Sequence, residues 1–183
     1  VGDNHGMAMR MLRLQKNGDF DREFGDNGVI TFSNKAYPSV YIPGLSIQED
    51  NKIIVCGNII NEQDQSNAII IRFLPDGRRD SSFGKNGIVV FDGGGSEELN
   101  DIASLENNQI TAIGKIRKEV GNESLLILEL DKNGNGESGF SQNGVIIPTR
   151  TNEEVQYHLS LLEERPETED EAYECPKPDE AGL

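Results

Sequence analysis

Tryptophan is absent from the 183 residues and aromatic residues make up only 6%, so a core must be built mainly from aliphatic side chains. Cysteine is scarce too. Cys56 and Cys175 cannot form a disulfide framework, and without a CxxC pair they carry neither the usual zinc nor the dithiol redox signature. Cys56 lies in an apolar run and reads as a plain buried thiol. His5 and His158 have no metal-binding spacing and read as structural or solvent-facing. No apolar run reaches the ~18 residues of a spanning helix, so membrane insertion is not expected. Positive charge is also short: 17 Lys and Arg against 32 Asp and Glu leave a formal net charge of −15. That argues against a sequence-independent nucleic-acid binder, in which Lys and Arg replace phosphate counterions, and against attraction to anionic lipid. The acid is unevenly placed: residues 163–183 hold nine acids and two bases, net −7, leaving −8 for the other 162 residues.

Glycine, by contrast, is plentiful at 20 residues, and much of it falls in one recurring phrase. The clearest copy is Asp76-Gly77-Arg78-Arg79-Asp80-Ser81-Ser82-Phe83-Gly84-Lys85-Asn86-Gly87. An earlier copy runs from Asn17-Gly18 to Phe24-Gly25-Asp26-Asn27-Gly28, and a later one from Asn133-Gly134 to Phe140-Ser141-Gln142-Asn143-Gly144. Gly28, Gly87 and Gly144 lie 59 (87 − 28) and 57 (144 − 87) residues apart. Self-similarity at a fixed period marks a repeat architecture, with repeat turns at 17–28, 76–87 and 133–144.

Short β-branched runs fill the spaces between the turns. A strand over 7–14 leads into the first turn, and Val29–Phe32, Val40–Ile47, Lys52–Ile59 and Ala68–Leu74 follow it. After the second turn the same four return as Ile88–Phe91, Leu99–Leu105, Gln109–Arg117 and Ser124–Leu130. Runs this short, bounded by Asn, Asp and Gly, are strands joined by hairpins. The spacing therefore predicts an all-β fold of tandem four-stranded antiparallel meanders, each set beginning after a turn.

The third set is incomplete. Val145–Ile147 matches its first strand, and Tyr157–Leu162 falls where the second belongs. Thr151 and Glu154 have capping-box spacing ahead of a helical apolar stripe that Pro166 would stop. The repeat register favours a strand over that helix. From Arg165 the chain is rich in Pro, Glu and Asp and too polar to bury. The expected organisation is a repeat domain over 1–162 and an acidic tail over 163–183, disordered or bound to a partner.

The pattern Asp76-Gly77-x-x-Asp80-x-x-Phe83-Gly84-x-x-Gly87, with Gly93-Gly94-Gly95 and the strand after it, resembles the delta-60 repeat family across about residues 7–162. The resemblance implies β-propeller blades, a bacterial protein, and a secreted or cell-surface setting. It implies no catalytic set and no cofactor. Stacking explains why blades come in series: one four-stranded blade cannot bury both apolar faces alone. Closed propellers take about 4–8 blades, so two full sets and parts of two more make a partial or open propeller. The incomplete opening set favours a piece of a longer chain, with further blades in the rest of it; were the chain complete, its uncapped edges would call for a partner or another copy.

Several residues carry candidate chemistry. Asp131, Asn133 and Asn135 place oxygens at alternate positions, as in a calcium loop, though Gln142 replaces the Glu that an EF-hand needs at its twelfth position. The simpler reading is a hairpin turn. Gly93–Gly95 reads as a turn rather than a phosphate cradle, since no GK[ST] and no helix follow. Ser141 sits in no complete GxSxG, because Asn143 stands at the last position. Glu97, Glu98 and Asp101 would serve an acid/base reaction only if loops gathered them into a cleft. Asn122-Glu123-Ser124 is a glycosylation sequon, and Tyr173 stands among acids that some tyrosine kinases accept. Phe24, Gly28, Phe83, Gly84, Gly87, Phe140 and Gly144 are expected to be structural. In particular, Phe83 should plug an apolar gap between blades.

The leading expectation is a non-enzymatic module with a binding or scaffold surface, a protein or glycan partner, and further blades or another copy beside it. The alternative is part of a propeller enzyme acting on glycans. A third reading gives the acidic tail a basic docking partner.

Overall fold

The structure, a computed structural model, describes residues 8–33, 39–60, 65–119, 122–141 and 143–147. Expectations for His5, His158, Cys175, Tyr173, the segment 151–166, the boundary at 162 and the acidic tail lie outside these residues. Ten strands follow one another: β1 (Met9–Leu12), β2 (Val29–Phe32), β3 (Ser39–Ile47), β4 (Ile53–Ile60), β5 (Ser66–Phe73), β6 (Ile88–Phe91), β7 (Ser96–Ser104), β8 (Ile110–Glu119), β9 (Asn122–Leu130) and β10 (Val145–Ile146). They form a two-stranded sheet β1-β2 and two four-stranded sheets, β3-β4-β5-β6 and β7-β8-β9-β10, with every neighbouring pair antiparallel. The fold is all-β, built from tandem four-stranded meanders whose sheets do not close.

The grouping differs from the predicted one by a single strand. Each turn joins two strands of one sheet, the second and third turns linking its third strand to its fourth, instead of starting a new set. The backbone supplies the reason. After β5 the chain reverses at Asp76-Gly77, and 78–80 pairs back along the strand end through Leu74 N–H to Arg78 O (2.7 Å) and Asp80 N–H to Arg72 O (3.0 Å). Residues 81–87 then loop out. The return resumes when Gly87 O accepts from Arg72 N–H (3.0 Å), and β6 continues along β5. The turn is thus an excursion within a returning strand, and its ladder bonds hold β5 and β6 in one sheet. The crossing to the next sheet falls instead at Asp92–Gly95, between β6 and β7.

The three sheets stack face to face. Met9, Met11, Ile30 and Phe32 of the first sheet cover Val55, Ile69, Ile71 and Phe73 of the second. Ile54, Cys56, Ala68 and Ile70, on the second sheet's other face, meet Ala112, Leu126, Leu128 and Leu130 of the third. Residues 53–56 and 68–71 are accordingly buried on both faces, whereas along the equally apolar run 125–128 of β9 burial alternates. Each such Ile or Leu contributes about 1.5–3 kcal/mol over exposure. Cys56, fully buried, has its thiol pKa pushed up to about 12 by burial and secondarily by the Asp101 charge. It is an inert core residue.

Candidate functional site

The three turns are the most strongly built feature of the chain, and they repeat bond for bond. The excursions close through Gly28 N–H to Phe24 O (2.8 Å), Gly87 N–H to Phe83 O (2.7 Å) and Gly144 N–H to Phe140 O (2.9 Å). Their tips close through Gly18 to Gln15, Gly77 to Leu74 and Gly134 to Asp131. Gly28, Gly87 and Gly144 are all buried at positive φ, which explains the period seen in the sequence.

An ion pair clamps two of the three. Arg72 Nε donates to Asp80 Oδ2 at 2.9 Å with both side chains buried, and Arg13 Nε donates to Asp21 Oδ2 at 2.8 Å in a more open setting. Each guanidinium also lies over the ring of its own turn, Arg72 over Phe83 and Arg13 over Phe24, both 4.4 Å from the centroid. Burial would raise the Asp80 pKa. Hydrogen bonds from the Ser82 hydroxyl and amide, with the charges of Arg72 and Lys52, outweigh it and hold the carboxyl below its ordinary value. These pairs were not singled out in the sequence. A signal was present: Arg13 and Arg72, like Asp21 and Asp80, are 59 residues apart (72 − 13, 80 − 21), the period of the turns themselves.

The same arginines tie each turn to the next. Arg13 Nη1 donates to Pro75 O and Arg72 Nη1 to Lys132 O. Beside them Gly25 N–H donates to Asp76 O and Gly84 N–H to Asn133 O, both at 2.8 Å. Gly134, at φ +86, lies so close to Phe83 that a Cβ there would stand 2.8 Å from the ring. Phe24 and Phe83 are 1% and 0% exposed, each in the apolar layer between its own sheet and the neighbouring one. The third turn departs from the other two. Glu129 and Glu137 stand where the arginine and aspartate belong, Ser141 replaces the glycine, and Phe140 is only half-buried. Glu137 Oε2 accepts from Gln109 Nε2 at 3.0 Å instead.

The remaining candidates are occupied locally or kept apart. Asp131 meets Asn133 and Asn135, but as one clasp: its carboxylate accepts from both backbone amides (2.8 and 2.9 Å) and from both side-chain Nδ2 groups (3.4 and 3.1 Å). Burial would raise its pKa; the bonds from Asn135 and Asn133 outweigh that and lower it. Among the described residues no cluster of three or more His, Cys, Asp or Glu could hold a metal ion. In the Gly93–Gly95 turn the amides face inward. Gly93 N–H and Gly95 N–H both donate to Glu97 Oε1 (3.1 and 2.8 Å), and Gly94 N–H donates to Asp92 Oδ1 (3.0 Å). Glu97 is fully buried and its Oε2 is unpaired, so burial raises its pKa despite the two amide bonds. Its neighbour Glu98 faces the other side of β7, 3.5 Å from Lys115 Nζ, and exposed Asp101 accepts from Ile102 N–H at 2.8 Å. Asn122 opens β9, and Ser141, at φ +42, is an exposed turn residue.

Fold and turns together define a class: an all-β protein of stacked four-stranded antiparallel sheets, the construction of propeller blades. The profile of a family described as a beta-propeller domain of unknown function (DUF5122) matches residues 48–83. That stretch holds β4, β5 and the second turn as far as Phe83, and the match supports a propeller-like repeat family. No curated protein matches the chain.

Proposed function

We propose that this chain is a propeller-like repeat module of the delta-60 kind, serving as a non-enzymatic binding or scaffold surface within a larger protein or assembly. One observation carries the reading. The repeated charged residues, Arg13 with Asp21 and Arg72 with Asp80, are engaged in joining one sheet to the next, which is the work of a scaffold. Function on such a fold resides in surfaces laid over the repeat. A protein or glycan ligand would meet the loops and sheet faces, and the acidic balance points to a partner that tolerates or seeks negative charge.

The test is a panel of oligosaccharides assayed for both retention and hydrolysis. Retention without turnover, or neither, is the expected result. Turnover abolished by Glu97→Gln or by Asp101→Asn would overturn the reading in favour of a glycan-processing enzyme.

A further inference from the structure

The stacking rule that joins the three sheets leaves one half of the same interface at each end. Ile113, Ile127 and Ile146 lie in register across β8, β9 and β10, with Leu125 on the same face beside Lys115. Ile113 and Leu125 are 44% and 48% exposed, and Ile127 and Ile146 are half-buried. Their counterparts 57 residues earlier are Cys56, Ile70, Val89 and Ala68, which the third sheet covers. The counterparts 59 residues before Ile70, Val89 and Ala68 are Met11, Ile30 and Met9, which face the second sheet. Among the described residues nothing covers the last member of this series.

At the other end the complementary half is also uncovered among the described residues. Leu12 and Leu14 are 59% and 56% exposed, yet their counterparts Ile71 and Phe73, and then Leu128 and Leu130, are buried against a preceding sheet. Val29 is paired with Leu12 and corresponds to Ile88 and Val145, which take part in the same two layers. The molecule therefore displays an apolar knob-face and its matching acceptor, related by the repeat and not by a two-fold axis. The polar seam continues as well. Ser141 stands where Gly25 and Gly84 donate to Asp76 O and Asn133 O, and the matching carbonyl on a following first sheet is that of Asn17. Glu129 stands where Arg13 and Arg72 reach Pro75 O and Lys132 O. The residue it would meet is Lys16, of opposite charge.

We infer that the occupant of the β7-β8-β9-β10 face is a second copy of this chain, docked head to tail through the Leu12–Leu14–Val29 face of its first sheet. This rests on reading the chain as a scaffold-forming repeat module and names that module's partner. Such a contact is heterologous, so copies add in one direction until the rotation closes or a filament grows.

The 183-residue chain is followed by light scattering over a concentration series, as wild type, as Ile127→Lys and as Leu12→Lys/Leu14→Lys. Wild type should associate reversibly to masses above the 20.2 kDa of one chain. Each variant alone should lose assemblies larger than one chain, because each lacks one half of the contact. Mixed at equal concentration, they should form a two-chain complex and nothing larger, through the single intact pair of faces. Should Ile127→Lys lose its β circular dichroism spectrum, Leu125→Lys on the same face carries the same test. A wild type that stays at the mass of one chain would mean that another segment or a foreign partner covers the face, and would overturn the inference. Variants that associate like wild type, or a mixture that stays monomeric, would overturn it too. Those outcomes leave the module reading standing, because that reading fails on turnover and not on mass.

Discussion

Phe83, Arg72 and Asp80 act as a unit in which each side chain limits what the others can do. The ring has no exposed surface, the guanidinium lies over it, and the carboxylate takes up the guanidinium's charge. Phe83→Ala should cost about 3–5 kcal/mol in urea unfolding, since little can collapse into the gap between two sheets. Phe140→Ala, at a half-buried position in the third turn, should cost clearly less in the same assay. Asp80→Ala leaves a buried guanidinium without its counter-ion and should cost about 3–5 kcal/mol. The sign of the pH dependence follows from the depressed Asp80 pKa. Its stabilisation is complete above the ordinary carboxylate pKa of 3.8 and is lost as pH falls through the lower, folded-state value. The acid limb of a stability–pH curve should therefore flatten in Asp80→Ala. Glu97 has the opposite sign. Its pKa is raised from 4.5, so its contribution is most favourable below that value and declines as pH rises through the folded-state value. Glu97→Gln keeps an oxygen for the two glycine amides and removes the buried charge. Its unfolding midpoint at pH 7 should equal or exceed that of the wild type.

Between elements the decisive feature is how closely backbone approaches backbone. Gly57 and Gly114 face the bulges in β3 and β7, where the carbonyls of Tyr41 and Glu98 occupy the space a Cβ would need. Their spacing of 57 (114 − 57) is visible in the sequence, but its cause is not, because a bulge is a property of the paired strand. The seam between turns offers a cleaner comparison. Gly94 and Gly134 both have positive φ, at +76 and +86, but nothing lies within 4 Å of a Cβ on Gly94, whereas Phe83, Val89 and the Gly84 amide crowd Gly134. Gly94→Ala should cost about 1–2 kcal/mol for the backbone alone. Gly134→Ala should cost more, and the difference between the two urea midpoints measures the seam.

For the molecule as a whole, β4 and β5 of the second sheet are the strands covered on both faces among the described residues. Amide exchange should accordingly be slowest in β4 and β5, around 53–56 and 68–71, and faster in the open-faced outer sheets. Uniform protection across all three sheets would show that they open together. A stack of this kind is held by nearest-neighbour contacts, so it also has a direction: the arginines of the first two turns each reach forward to the next turn. That directionality is why the uncovered faces differ from each other and can pair head to tail.

Strand positions, turn residues and the repeat period were legible in the chain itself, because alternation, β-branching and positive-φ glycines are local requirements that leave local marks. Which strands share a sheet was not legible. The turn that looked like a boundary between sets lies inside a sheet, since ladder bonds between Arg72, Asp80 and Gly87 depend on how residues 81–87 loop out. The clamps Arg13–Asp21 and Arg72–Asp80, and the exposure of Leu12 and Ile113, likewise belong to the tertiary structure. An ion pair eight residues apart and an apolar residue's partner are settled by what the fold places opposite them, not by the residues on either side in the chain.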